Sequence, residues 1–454
     1  MIMKPMIDLE VLKKHHERTI WARLATLILG IWLMTSPATF GYTIDRPMMF
    51  NDIISGAILV ILSAMALSYR FRFLTWFIAI MGLWLGFAPL ALWSKTATGY
   101  LNDTIIGALT LAFSIIVPFR PEGNPGDAEI PQGWSYNPSS WFQRAPIVLF
   151  GFLGWFIARY LAAYQLGYID YVYDPIFGDG TMKVITSNVS KMFPVSDAGL
   201  GAFAYSLEAL LALKGSSRRW YTMPWTVLIF GLLVVPLGFV SICLVILQPS
   251  VVGAWCGPCL FMAFCMLIML ALSIDEVVAT LQYLNKVRKH HREHFWRVFW
   301  YGGEVEGTID TRSARFGENR MWGSLTWGTS IPWTLIISLL IGVWMLCVPS
   351  VFNVVQNIAD TCYIVGALTV VVSIISMAEV VRTFRFVNIL FGIWIIISPL
   401  VMPLPECMQD VIPVAAHCKS YLWNGIICGL LLILLSIPRG RIKERYGTWN
   451  SWIV

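Results

Sequence analysis

The sequence predicts an all-α polytopic membrane protein of about twelve transmembrane helices, with a central four-helix bundle flanked by two-helix hairpin repeats. Composition, span count and an internal repeat carry this reading. The chain has 454 residues, of which 57% are hydrophobic and only 13% charged, against about a quarter in soluble domains. Its mean hydropathy is +0.69, and a soluble protein of this length could not hide so much apolar surface. Apolar runs of about 20 residues, the length that crosses a bilayer, recur twelve times. They fall near 20–40, 50–69, 73–93, 102–118, 145–165, 197–213, 223–247, 255–274, 331–350, 360–380, 384–403 and 421–437, and the run at 197–213 is short.

Basic residues orient these spans. With the N-terminus in the cytoplasm, 26 of the 32 Lys and Arg fall on one side. The opposite side keeps only Arg46, Lys95, Lys183, Lys191 and Lys419, and Arg159 lies inside a span. An excess of Lys and Arg marks cytoplasmic loops, so both termini are expected inside. The net charge of +6 is then a topology signal, and no nucleic-acid partner is expected. The first apolar run follows a charged preamble and is repeated near the C-terminus, so it reads as a retained span and not a cleaved signal.

The repeat has the form Gly-x-Trp with Pro seven residues after the Gly. It appears at Gly30…Pro37, Gly82…Pro89, Gly342…Pro349 and Gly392…Pro399. A second helix follows each, opening with Asn51-Asp52…Gly56, Asn102-Asp103…Gly107, Thr361…Gly366 and Asn424…Gly429. Gly permits close helix approach, Asn or Asp caps a helix start, and Pro ends or kinks the helix before it. Each repeat is therefore a hairpin of two helices. This arrangement resembles the SPW repeat family of membrane hairpins. Ser36-Pro37 and Ser398-Pro399 keep the Ser-Pro, and Ala88-Pro89 and Val348-Pro349 do not. Two hairpins are expected over 1–120 and two, with a basic tail, over 331–454.

Between them lie a Pro- and Gly-rich cytoplasmic linker (121–144), a different four-span unit (145–285) and a cytoplasmic loop (286–330). That loop is basic and aromatic, with His290, His291, His294, Phe295, Trp296, Phe299 and Trp300. It reads as an amphipathic stretch on anionic lipid. No metal is expected, because nothing supplies the three histidines with a fixed fourth ligand.

The fourth span of the central unit opens with Trp255-Cys256-Gly257-Pro258-Cys259. Cysteines at i and i+3 share a helix face and can form a disulfide. Unpaired N–H groups at a helix start stabilise a thiolate, the nucleophile of exchange. A thioredoxin active site carries the same five residues but follows a buried strand, and here membrane spans lie on both sides. A redox pair at the boundary of water and lipid can serve protein thiols on one side and a hydrophobic electron carrier on the other.

With its four spans and long outer loop, Asp170 to Ser196, this unit resembles the vitamin K epoxide reductase family. Ser190-Lys191-Met192-Phe193 and Gly201-x-x-x-Tyr205 also match that family's pattern. The resemblance implies a quinone-dependent thiol oxidoreductase in which Cys259 faces a membrane quinone and Cys256 exchanges with an extracytoplasmic thiol carrier or dithiol protein. Asp197, Tyr205 and Trp255 would then lie at the quinone. The Lys and Arg asymmetry puts the CxxC on the outward side, and a bacterial inner membrane is expected. One departure stands out: the outer loop has no cysteine, and Val189 precedes Ser190, so the family's internal relay is missing. An external carrier could reach Cys256 directly, Cys407 and Cys418 of the last outer loop could substitute, or the unit could be a non-catalytic scaffold.

Cys243, Cys265, Cys347, Cys362 and Cys428 fall within or at the ends of spans and read as small packing residues. Cys407 and Cys418 read by default as a structural disulfide. Arg159 and Glu208, charges inside adjacent spans, are expected to pair. Asp275 and Glu276 lie about one bilayer thickness beyond the CxxC and cannot serve it.

Overall fold

The computed structural model describes residues 9–116, 128–305, 308, 323–352, 354–401 and 412–453. Twelve main helices follow in chain order: α1 (Ile20–Thr39), α2 (Arg46–Ala66), α3 (Thr75–Ala91), α4 (Ala97–Ile116), α5 (Trp141–Gln165), α6 (Asp197–Leu213), α7 (Pro224–Leu247), α8 (Gly257–His290), α9 (Trp333–Phe352), α10 (Gln356–Ile375), α11 (Val387–Val401) and α12 (Ile412–Ser436). Among the described residues the only β-pairing is isolated bridges. Ten of these helices are long and apolar enough to cross a membrane. The short run at 197–213 forms α6, with 17 residues, and α12 contributes a shorter apolar stretch, Ser420–Ser436. The protein is an integral multi-pass membrane protein.

The repeated residues build the hairpins. In each one the two glycines face each other. A Cβ added to Gly30 would lie 2.9 Å from the Gly56 carbonyl oxygen, and one on Gly107 would lie 2.8 Å from that of Gly82. The same test gives 2.9 Å for Gly342 on Gly366 and 2.6 Å for Gly392 on Gly429. Each conserved-spacing proline sits inside its helix within a turn of the end, where the ladder is about to stop. Hairpins then join in twos. Trp32 Nε1 donates to Asn102 Oδ1 (3.1 Å) and Trp84 Nε1 to Asn51 Oδ1 (2.8 Å), a reciprocal exchange between the first two. Trp344 Nε1 donates to Asn424 Oδ1 (2.8 Å) in the second pair.

The central bundle, α5 to α8, packs around Ile147, Tyr205, Phe230, Val234, Met266 and Met269. Helices α5 and α6 run antiparallel in close contact, with Gly151 against Ala209 and Gly154 against the Tyr205 ring. Helix α8 has 34 residues, about 50 Å at 1.5 Å per residue, which exceeds the roughly 30 Å of bilayer hydrocarbon. Its far part carries a hub opposite the CxxC end.

Parts of the expected cytoplasmic linker and loop build this hub. Residues 128–140 are docked: Tyr136 is fully buried, and Trp134 packs with Val278, Trp327, Val380 and Tyr446. Within the expected linker, helix α5 already starts at Trp141. Helix α8 continues to His290, and a short helix, Phe295–Tyr301, seats Val298 on Trp220, Tyr221 and Tyr283. Trp296 and Trp300 remain exposed. Asp275 and Glu276 tie the hub together. Asp275 Oδ2 accepts from Tyr136 Oη at 2.6 Å. Glu276 takes Ser139 Oγ at 2.5 Å and both Nε and Nη2 of Arg219 at 2.6 and 2.5 Å. Burial first, then the Asp275 charge, pushes the Tyr136 phenol well above its ordinary pKa.

Candidate redox site at the start of helix α8

Gly253 in the left-handed region (φ +67°) ends a π-helical turn, Gln248–Val252, and turns the chain into the CxxC. Cys256 caps α8 in an extended conformation (φ −118°, ψ 107°). Its sulfur accepts the N–H of Cys259 at 3.2 Å, and its own N–H donates to Gln248 Oε1 at 3.0 Å. Cys256 and Cys259 are joined as a disulfide. Cys256 is fully buried (0% exposed), whereas Cys259 lines a cavity of about 130 Å³.

Helices α5, α6, α7 and α8 and the segment 184–190 wall that cavity, with Leu161, Ile185, Val189, Leu244, Val245 and Met262 as its apolar lining. Asp197, Tyr205, Ser190 and Gln248 bring polar groups. Asp197 opens α6 after the Ser196 cap, whose side chain accepts the Gly199 N–H at 2.9 Å. The Asp197 Oδ1 accepts from Ser190 Oγ at 2.8 Å, from the Ala198 N–H at 2.8 Å and from Gln165 Nε2. Tyr205 donates its hydroxyl to the Met262 carbonyl at 2.9 Å. Its ring fits because Gly154 opposite has no Cβ, which would lie 2.6 Å from it.

The loop 170–196 closes over the disulfide through Asp174, which is 4% exposed. Asp174 Oδ2 accepts the Gly257 N–H at 2.9 Å and the Thr181 hydroxyl at 2.6 Å. Its Oδ1 accepts the N–H groups of Ile176 (2.9 Å) and Phe177 (3.1 Å). Burial alone would raise this carboxyl. The donors Thr181, Phe177, Gly257 and Ile176 outweigh it and bring the pKa down to about 2.

Four of the five expected site residues, Cys256, Cys259, Asp197 and Tyr205, meet here. Trp255 does not line the cavity: its ring stacks on Phe177 at 6.3 Å and meets Tyr363 of α10 edge-on at 5.9 Å. As the residue before the helix cap it points over the loop and α10, not down the bundle. Sequence reasoning missed Asp174, Gln165 and Gln248. Asp174-Pro175 is a turn-initiating pair, the one signal that marked this carboxylate. Cys407 lies outside the described residues, as does the Cys418 side chain. Cys265, Cys362 and Cys428 are buried, Cys243 is half-buried, and Cys347 is exposed on α9.

The expected Arg159–Glu208 pair is not formed. Arg159 lies over the Trp155 ring at 4.7 Å, and both Glu208 carboxyl oxygens are buried without a hydrogen-bond partner. Register explains it. With Gly154 on Tyr205, Arg159 stands toward the CxxC end and Glu208 toward the hub, roughly 12 Å apart along the helices at 1.5 Å per residue.

Residues 145–274 match the model of the vitamin K epoxide reductase family. Residues 20–117 and 332–439 match the SPW repeat domain. No curated protein and no solved structure is a match for the chain. The vitamin K epoxide reductase region thus runs from α5 to residue 274, about halfway along α8, and the SPW regions coincide with the two pairs of glycine-contact hairpins. The match over 145–274 suggests that the central unit is a membrane thiol oxidoreductase.

Proposed function

We propose that the protein passes electrons from dithiols outside the membrane, through Cys256 and Cys259, to a quinone held in the bundle cavity. The observation that carries this reading is the division between the two sulfurs: Cys259 lines the cavity, and Cys256 sits behind it under the loop. The cavity suits a quinone head. At about 130 Å³ it approaches the roughly 150 Å³ that holds a benzene ring, and its lining is apolar with a few polar groups at one edge. A quinone bound there would supply a two-electron acceptor. Asp197, held by Ser190 and Gln165, fixes the polar edge. Tyr205, pinned to the Met262 carbonyl, fixes the wall beside Cys259.

In the reaction a partner thiolate attacks Cys256, forms a mixed disulfide and frees the Cys259 thiol. A second partner thiol releases the partner as its disulfide and leaves Cys256 and Cys259 reduced. The pair then recloses, and two electrons and two protons convert quinone to quinol. Cys256 is buried beneath Asp174 and Thr181, so the loop lifts for the partner to reach it. The loop 170–196 holds no cysteine, and in this reading an external thiol carrier is the direct donor. The basic hub end faces the cytoplasm of a bacterial inner membrane and the CxxC end faces outward. Exposed Trp296 and Trp300, with Arg292 and Arg297 beside them, rest on anionic lipid.

Purified protein with a soluble quinone and dithiothreitol tests the reading. Quinol should form with the native protein and fall at least a hundredfold in Cys259→Ala. Quinone reduction unaffected by that change, or absent from the native protein, would leave the rival reading of a membrane scaffold with an inert disulfide.

A further inference from the structure

We propose that Asp174 is a positioning residue for the redox pair: its carboxylate occupies the free N–H at the start of α8 and keeps the open Cys256 as a thiol instead of a thiolate. This inference rests on the thiol–disulfide reading above. A helix start ordinarily favours a thiolate, because its N–H groups point outward without intrahelical partners. Here the N–H of Gly257, the residue after Cys256, is taken by Asp174 Oδ2 at 2.9 Å. That donor is spent and a full negative charge stands beside it, so of the helix-start donors next to Cys256 only the Cys259 N–H, 3.2 Å from the sulfur, is left to a thiolate.

The contact is tight on both sides. A Cβ on Gly257 would lie 2.8 Å from Asp174 Oδ1, and one on Gly180 would lie 2.4 Å from the Trp255 carbonyl oxygen. Loop and helix start therefore meet at two glycines, Gly257 under the Asp174 carboxylate and Gly180 against the Trp255 carbonyl. Among the described residues no Lys or Arg forms an ion pair with Asp174; N–H and O–H donors alone hold its charge. The carboxyl, with a pKa near 2, stays ionised at every pH at which a thiol titrates. Other charged or titratable groups on the surrounding elements are Asp170, Tyr171, Tyr173, Asp179, Lys183 and Lys191 of the loop, Tyr160 of α5, Asp197 and Tyr205 of α6, and Asp360 and Tyr363 of α10. Of these, Asp179 and Lys183 are exposed, and none is hydrogen-bonded to the CxxC backbone as Asp174 is.

The consequence is a direction for the electron pair. Opening the disulfide takes two electrons and two protons, and an ionised Cys256 would stabilise the open form. Disfavouring that thiolate favours the closed disulfide and makes the open pair a stronger reductant toward the cavity, at pH values above the thiol pKa.

The test uses the full chain carrying Cys259→Ser, with the pH dependence of Cys256 alkylation by iodoacetamide read by mass spectrometry. Asp174→Asn keeps an acceptor and removes the charge. It should lower the pH of half-maximal alkylation by about one unit, a tenfold change in thiolate stability. Asp174→Glu and Thr181→Val keep the charge and should leave that midpoint within a few tenths of a unit, whatever they do to the rate through loop opening. With both cysteines present, and above both midpoints, Asp174→Asn should shift the dithiothreitol equilibrium about tenfold toward the dithiol, or about 30 mV. An unmoved or raised midpoint in Asp174→Asn, or an equal fall in Thr181→Val, overturns the proposal. Neither readout involves a quinone, so a native protein that forms no quinol would sink the reading above while leaving this measurement intact.

Discussion

The two pairs of SPW hairpins share one backbone plan and differ in what they bury. In both, glycines let the helices of a hairpin touch, and Trp-to-Asn bonds tie hairpin to hairpin. The N-terminal pair buries Asp52 and Asp103 completely. Asn51 Nδ2 donates to both, at 3.1 Å each, and the Tyr42 hydroxyl donates to Asp52 at 2.5 Å. The C-terminal pair carries Cys362 and Gly425 at the corresponding places after Thr361 and Asn424. Cys362 lies 3.8 Å from the Tyr421 hydroxyl. Close backbone approach is therefore what the fold requires, and the buried acids are particular to one half. Three of the four carboxyl oxygens of this Asp pair accept a hydrogen bond and Asp103 Oδ1 has no partner, so donors offset much, not all, of the cost of burying these groups.

The largest expected effect attacks the shared part. A Cβ on Gly107 would come 2.6 Å from the Gly86 backbone nitrogen, and one on Gly429 would come 2.5 Å from the Gly392 carbonyl oxygen. Backbone cannot rotate aside as a side chain does, so Gly107→Val and Gly429→Val should each cost at least about 3 kcal/mol, the upper end for overpacking. Gly425→Ala, with 3.4 Å of room, should cost under about 1 kcal/mol by the same measure. Thermal unfolding in detergent reads all three. A mild Gly429→Val beside a severe Gly107→Val would break the claim of a common plan.

The sequence made the hairpins legible because their signal is local and repeated. Gly, Trp, Pro and Asn recur at fixed spacing, and each does its own physical work in the structure. The site was half legible for the same reason: Cys256, Cys259, Asp197 and Tyr205 fall at readable places along helices. Asp174 acts across a long separation, 83 residues to Gly257, and Gln165 across 32 residues to Asp197, and no period in the sequence announces such contacts. Arg159 and Glu208 were misjudged because depth along antiparallel helices depends on register, which the Gly154–Tyr205 contact sets. The hub was hidden in segments whose Pro and Gly content reads as linker, although Trp134 and Tyr136 supply their own core.

A middle-sized effect tests the part that differs. Asp52→Leu removes the acceptor of the buried Tyr42 hydroxyl and one acceptor of Asn51. Leaving buried donors unpaired costs about 1–3 kcal/mol each, so its unfolding temperature should fall clearly. Cys362→Val, at the corresponding place, changes volume little and should cost under about 1.5 kcal/mol. Equal losses would mean that the two halves use this position alike, despite the chemistry now separating them.

The smallest effect tests the hairpin-to-hairpin bonds. Three of the four repeat tryptophans donate to an Asn of the neighbouring hairpin. Trp394 faces a repeat whose corresponding residue is Thr361, and that hydroxyl donates to the Asn357 carbonyl at 3.1 Å. A net hydrogen bond is worth about 0.5–1.5 kcal/mol. Trp344→Phe should therefore cost more than Trp394→Phe by about that amount, since both lose the same indole area and only the first loses a bond. Measured as the difference between the two variants, packing largely cancels and the bond remains. Equal destabilisation would show that the Trp344–Asn424 bond contributes nothing net to holding one hairpin on the other.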